Sequence, residues 1–121
     1  MKINGHSHLL PYPNQIPSFM KDKEIFWIDD DRSFMRQKNW QRPITSASFF
    51  LNEKLDWMNN NNIDHAVILN LSQLYGNGLT QSDMKQALRF QNDFNAEIQA
   101  NHPKKFTSGF VIHAGFIDGA L

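Results

Sequence analysis

Two amphipathic helical stripes separated by a short, unbroken apolar run constrain the fold of this chain more than any other feature. The run, His65-Ala66-Val67-Ile68-Leu69-Asn70, is too short for a typical helix and rich in branched side chains, so it reads as a buried strand. Before it, Phe50, Leu51, Leu55 and Met58 fall at helical spacing. Ser46 and Ser48 offer an N-cap there, and Asn59-Asn60-Asn61-Asn62 supplies residues that tolerate the left-handed conformation closing a helix. After it, residues 71–78 read as a loop ending in Tyr75-Gly76-Asn77-Gly78. Thr80-Gln81-Ser82-Asp83 then has the form of a capping box, and Met84, Ala87, Phe90, Phe94 and Ile98 make a second stripe that His102-Pro103 ends. A further strand is expected over residues 106–112, and a further helix start over residues 118–121. Strands alternating with amphipathic helices predict βαβ units, with a parallel sheet and its helices outside.

The alternation begins at the amino terminus. Lys2-Ile3-Asn4-Gly5 reads as a short strand leading into His6-Ser7-His8 and then Leu9-Leu10-Pro11-Tyr12-Pro13, whose prolines end regular pairing. The stretch that follows has no helical period but carries Phe19, Phe26, Trp27, Phe34 and Trp40 among many charges. Glu24-Ile25-Phe26-Trp27-Ile28 and Ser33-Phe34-Met35-Arg36 flank the turn-prone Asp29-Asp30-Asp31-Arg32, which predicts a β-hairpin. Residues 12–47 are therefore read as an insertion after the first strand. The three aspartates lack the spaced ligands of a calcium loop and read as a turn.

Composition narrows the chemistry. The 121 residues suffice for one ordinary domain, and the formal net charge is zero with no long basic stretch, which argues against a nucleic-acid partner. The absence of cysteine excludes disulfides, thiolate metal sites and a Cys nucleophile. The start of the chain has no signal-peptide core and no run approaches transmembrane length, so a soluble, cytoplasmic protein is expected.

The pair His6 and His8 carries the sharpest chemical signal. Residues i and i+2 of a strand share a face, so two imidazoles at the end of one strand can address one cation, while Ser7 faces the other way. Ligand sites in parallel α/β folds gather at the carboxyl ends of strands, where this pair lies. Neutral imidazole suits zinc, and a catalytic zinc needs about three protein ligands and an open water position. The pair is thus an expected half of a site, the alternative being a surface or core-satisfying pair. His65 lies at the amino end of its strand and reads as structural, His102 as a helix terminator. His113, after the third strand, falls at the expected rim and is a candidate for substrate contact. Arg36 and Arg32 on the hairpin could fork onto a substrate carboxylate, or could belong to a solvated face.

Taken together, Ile3-Asn4-Gly5-His6-Ser7-His8-Leu9-Leu10-Pro11, the aromatic hairpin, Asn62-Ile63-Asp64-His65-Ala66-Val67-Ile68, Gln91-Asn92-Asp93-Phe94 and His102-Pro103-Lys104-Lys105-Phe106 resemble the amidohydrolase superfamily. The nearest branch is that of the aminocarboxymuconate semialdehyde decarboxylases. The resemblance implies a (β/α)8 barrel of about 250 residues or more, of which this chain would be the amino-terminal portion with three of the strands. It implies His6 and His8 as ligands of a divalent metal, most simply zinc, and an arginine from the insertion, Arg36 being the nearest candidate, on a substrate carboxylate. The remaining ligands and the catalytic histidine would lie beyond residue 121. One departure is visible: the family commonly has Asp two residues before the first histidine, and here Asn4 stands there. The other class in play is a stand-alone βαβ module that binds a partner or self-assembles into a homo-oligomer, burying its open sheet edges.

Overall fold

The computed structural model describes residues 2–69 and 80–109. They form a mixed α/β structure with two three-stranded sheets, one parallel and one antiparallel. Strand β1 (Ile3–Ser7) leads into the insertion, which holds a short helix α1 (Ser18–Asp22) and strands β2 (Trp27–Ile28), β3 (Phe34–Gln37) and β4 (Trp40–Pro43). Helix α2 (Leu51–Asn60), strand β5 (His65–Ile68), helix α3 (Gln81–Asn101) and strand β6 (Phe106–Ser108) follow. The parallel sheet has the order β1-β5-β6, and the antiparallel sheet the order β2-β3-β4.

Local chemistry explains most of the boundaries. Thr80 accepts the Asp83 backbone N–H and opens α3, as its capping sequence predicts. Helix α2 stops at Asn60, and Asn62 takes the left-handed conformation at φ 57° before Ile63 drops into the core. The start of α2 differs from expectation. Ser46 caps a separate 3-10 turn over Ala47–Phe49, and the α-helix begins only at Leu51, because Phe50 is extended at φ −106° and ψ 150°. The predicted hairpin forms between β2 and β3, and a third strand, β4, extends it through the tight connection Lys38-Asn39. Arg32 closes the aspartate turn in the left-handed conformation at φ 62°.

Two apolar cores result. Leu9, Met58, Ile63, Ala66, Ile68, Ile98 and Phe106 pack the parallel sheet against α2 and α3. Leu10, Met20, Ile25, Phe26, Ile28, Met35 and Phe50 form the interior of the insertion, and Ala87 of α3 joins them. The insertion is thus fastened to the βαβ framework by shared apolar surface. The buried face of α3 is rotated from the predicted stripe: Leu88, Gln91 and Asn95 are buried with Met84, Ala87 and Ile98, while Phe90 and Phe94 are half-buried against the two cores. Among the described residues no helix is long and apolar enough to cross a membrane. The expected loop at residues 71–78, the end of the third strand, His113 and the helix start at residues 118–121 lie outside the described residues.

Candidate metal centre

His6 and His8 converge at the carboxyl end of β1. Their Nε2 atoms stand 3.1 Å apart and the rings meet edge to face, with centroids at 4.8 Å. Two ligands at zinc–nitrogen distances near 2.0–2.1 Å and a tetrahedral angle lie about 3.3 Å apart, so this spacing fits a shared cation with little movement. The second nitrogen of His8 fixes the ring: Nδ1 lies 2.8 Å from the Leu69 carbonyl oxygen, and only a protonated Nδ1 can donate there. In a neutral imidazole this leaves the lone pair on Nε2, the tautomer usual for a metal-binding histidine. Without a cation, His6 Nε2–H donates to that lone pair.

The backbone beneath the pair is irregular. Asn4 pairs with Ala66 and Ser7 with Ile68, so β1 spends one residue more than β5 between these points, which defines a bulge. The Asn4 side-chain oxygen accepts the His6 backbone N–H at 3.1 Å within it. A carboxylate is not needed for that bond, since the side-chain amide oxygen accepts it. Beyond the bulge the strand ends are tied together, Leu69 N–H donating to the Ser7 carbonyl at 2.8 Å and Gly109 N–H to the Ile68 carbonyl at 2.9 Å. Ser7 is buried on the opposite face, as the alternation predicts, and its Oγ accepts from Lys54 Nζ at 2.8 Å. Lys54 was not anticipated as an interior residue, because a lysine on an apolar stripe ordinarily reaches out to water. Here it is 7 % exposed, its ammonium lies 5.0 Å from the Trp57 ring centre, and burial pushes its pKa down.

The remaining candidates lie apart from this pair in their contacts. Arg36 forks onto Asp29, with Nε–Oδ1 at 2.7 Å and Nη2–Oδ2 at 2.9 Å, and gives Nη1 to Gln41. Its guanidinium holds the Asp29 carboxyl below the usual range. It lines a cavity of about 290 Å³ with Trp27, Lys38 and Trp40, to which neither imidazole contributes. Arg32 pairs with Glu53 of α2 at 2.8 Å and lies over the Phe50 ring at 4.7 Å. His65 braces two strands, its Nδ1 donating to the Lys104 carbonyl at 3.1 Å and its Nε2 accepting from the Thr107 hydroxyl at 2.7 Å. His102 follows the last turn of α3 and stands edge to face on Phe106. Among the described residues no group of three or more His, Asp or Glu side chains is placed to hold a metal, so the imidazole pair contributes two ligands by itself.

Glu53 is where the insertion meets α2, since it accepts from Arg32 and, at 3.3 Å, from the Tyr12 hydroxyl. The Arg32 hydrogen bond comes first among the causes that hold its carboxyl below the ordinary value. A carboxyl depressed on folding contributes stability that is present above the unfolded pKa, near 4.3, and is lost as pH falls through the lower folded value. Because the pair is about one-third exposed, Glu53→Gln is expected to cost no more than about 1 kcal/mol at pH 7. It should also flatten, without abolishing, the loss of stability in urea unfolding below about pH 4, since Asp29 still titrates in the same direction. An unchanged acid limb would contradict the assigned pairing.

No family model matches the chain, and no curated protein matches it.

Proposed function

We propose that the chain contributes the first half of a metal centre to an amidohydrolase-like enzyme that hydrolyses or decarboxylates a small carboxylic acid. The 3.1 Å approach of the two Nε2 atoms carries this reading, joined to the His8–Leu69 bond that turns one lone pair outward. The three parallel strands stand as the opening βα units of a (β/α)8 barrel, whose sites lie at the strands' carboxyl ends. A divalent cation there, zinc most simply, would supply Lewis acidity and a water acidic enough to be hydroxide near neutral pH. His6 and His8 would bind it, and the Leu69 carbonyl would hold the His8 ring in register. Arg36 would meet a substrate carboxylate by exchanging Asp29 for it, the two anions being alike to a guanidinium fork. His113, which follows the third strand in sequence, remains the proposed substrate contact. The site would work in a soluble cytoplasmic protein, with further ligands supplied from outside the described residues.

Zinc titration of the chain tests the proposal. The expected result is one weak site per chain that is weaker still in the His6→Ala variant, with no metal-dependent turnover of small unsaturated carboxylic acids. A tight site that survives His6→Ala would overturn the assignment, and turnover by the chain alone would overturn the half-site reading.

A further inference from the structure

We propose that Lys54, acting through Ser7, is the positioning residue that holds the β1 bulge in the form that brings His6 and His8 together. The inference rests on the reading of that pair as a metal centre, although its geometric part can be tested without metal. Three observations converge on it. The bulge lies between Asn4 and Ser7, so the strand returns to register at the residue between the two histidines. That residue is buried and its hydroxyl takes the Lys54 ammonium at 2.8 Å. Ser7 also ties the strand ends, since its carbonyl accepts from Leu69, whose own carbonyl receives His8 Nδ1–H. The chain of contacts from Lys54 to His8 is therefore continuous: Nζ to Ser7 Oγ, Ser7 carbonyl to Leu69 N–H, and Leu69 carbonyl to His8.

Stability does not account for the lysine. Its neighbour one turn on is Met58, 1 % exposed, and a methionine at position 54 would continue the same apolar face without desolvating an ammonium. The amine supplies a donor at a fixed distance beneath the strand, which no hydrocarbon side chain can. Bulges re-aim side chains, and without a pin on its far side this one can slide back toward regular pairing, carrying His6 away from His8.

The test compares Lys54→Met, Ser7→Val and Ser7→Thr with the parent chain. Threonine keeps the hydroxyl, whereas valine has the same shape without it. Thermal melting reports the fold, zinc affinity is measured against a chromophoric chelator, and the His8 Nδ1–H proton is followed by NMR in metal-free protein. Lys54→Met and Ser7→Val are expected to melt cooperatively, bind zinc about 10- to 100-fold more weakly and lose the slowly exchanging His8 proton, while Ser7→Thr keeps both. Folded Lys54→Met and Ser7→Val variants with parental affinity and an intact His8 proton would overturn the proposal. Should Lys54→Met fail to fold, the valine and threonine pair decides alone. A parent chain that holds no zinc, yet loses the His8 proton in these variants, would sink the metal reading and leave the positioning role supported.

Discussion

Replacing Phe50 by alanine is expected to lower the unfolding free energy by about 3–5 kcal/mol, the range for truncating a buried phenylalanine. Phe50 is 1 % exposed in the core of the insertion, stacks on Tyr12 with ring centres 5.4 Å apart, and carries the Arg32 guanidinium at 4.7 Å. Its carbonyl also accepts the Lys54 backbone N–H at 2.8 Å as α2 begins. The substitution therefore leaves a cavity, strips the ring from beneath Arg32 and loosens the joint between insertion and helix. Urea unfolding measures it. A loss below about 1.5 kcal/mol would mean that the site collapses around the smaller residue, and that the insertion does not depend on this joint.

His8→Ala is expected to reduce zinc affinity by at least about 100-fold, at or beyond the upper end for outer-shell partners, and by more than His6→Ala does. The asymmetry follows from preorganisation. His8 is half-buried and its ring is fixed by Leu69, so binding orders it at little further entropic cost, whereas His6 is exposed and, among the described residues, its ring bonds only to His8. The two losses should not add, because either variant leaves a single ligand. Chelator competition reads both affinities. Changes of less than about threefold in both variants would remove the pair from the site.

The parts of this fold that could be read from residues alone are those with local physical signatures. The Thr80 N-cap of α3, the asparagine stop after α2 and the strand β5, buried at Ala66 and Ile68, each follow from spacing and cap chemistry. So does the shared side of His6 and His8, with Ser7 turned inward, because alternation survives the bulge at that end. What escaped reading depends on distant partners. Strand β4 has no apolar alternation and its connection carries no glycine, so Trp40-Gln41-Arg42-Pro43 shows its strand character only when paired with β3. Lys54, Gln91 and Asn95 are interior although their polarity argues for solvent. On α3 the stripe buries Met84, Ala87 and Ile98 as its spacing predicts, but the fully buried face extends to Leu88, Gln91 and Asn95, while Phe90 and Phe94 stop half-buried at the margins of the two cores. Arg36 could be named as a fork for carboxylates, but Asp29 as its occupant was visible only once β2 and β3 had paired.

Anomalous X-ray scattering at the zinc edge from crystals of the zinc-loaded chain tests the central claim most directly. The account predicts a peak within about 2.0–2.1 Å of both the His6 and His8 Nε2 atoms, with His8 Nδ1 still donating to Leu69. A peak on His65 or His102, or one that touches only a single ring of the pair, would contradict it.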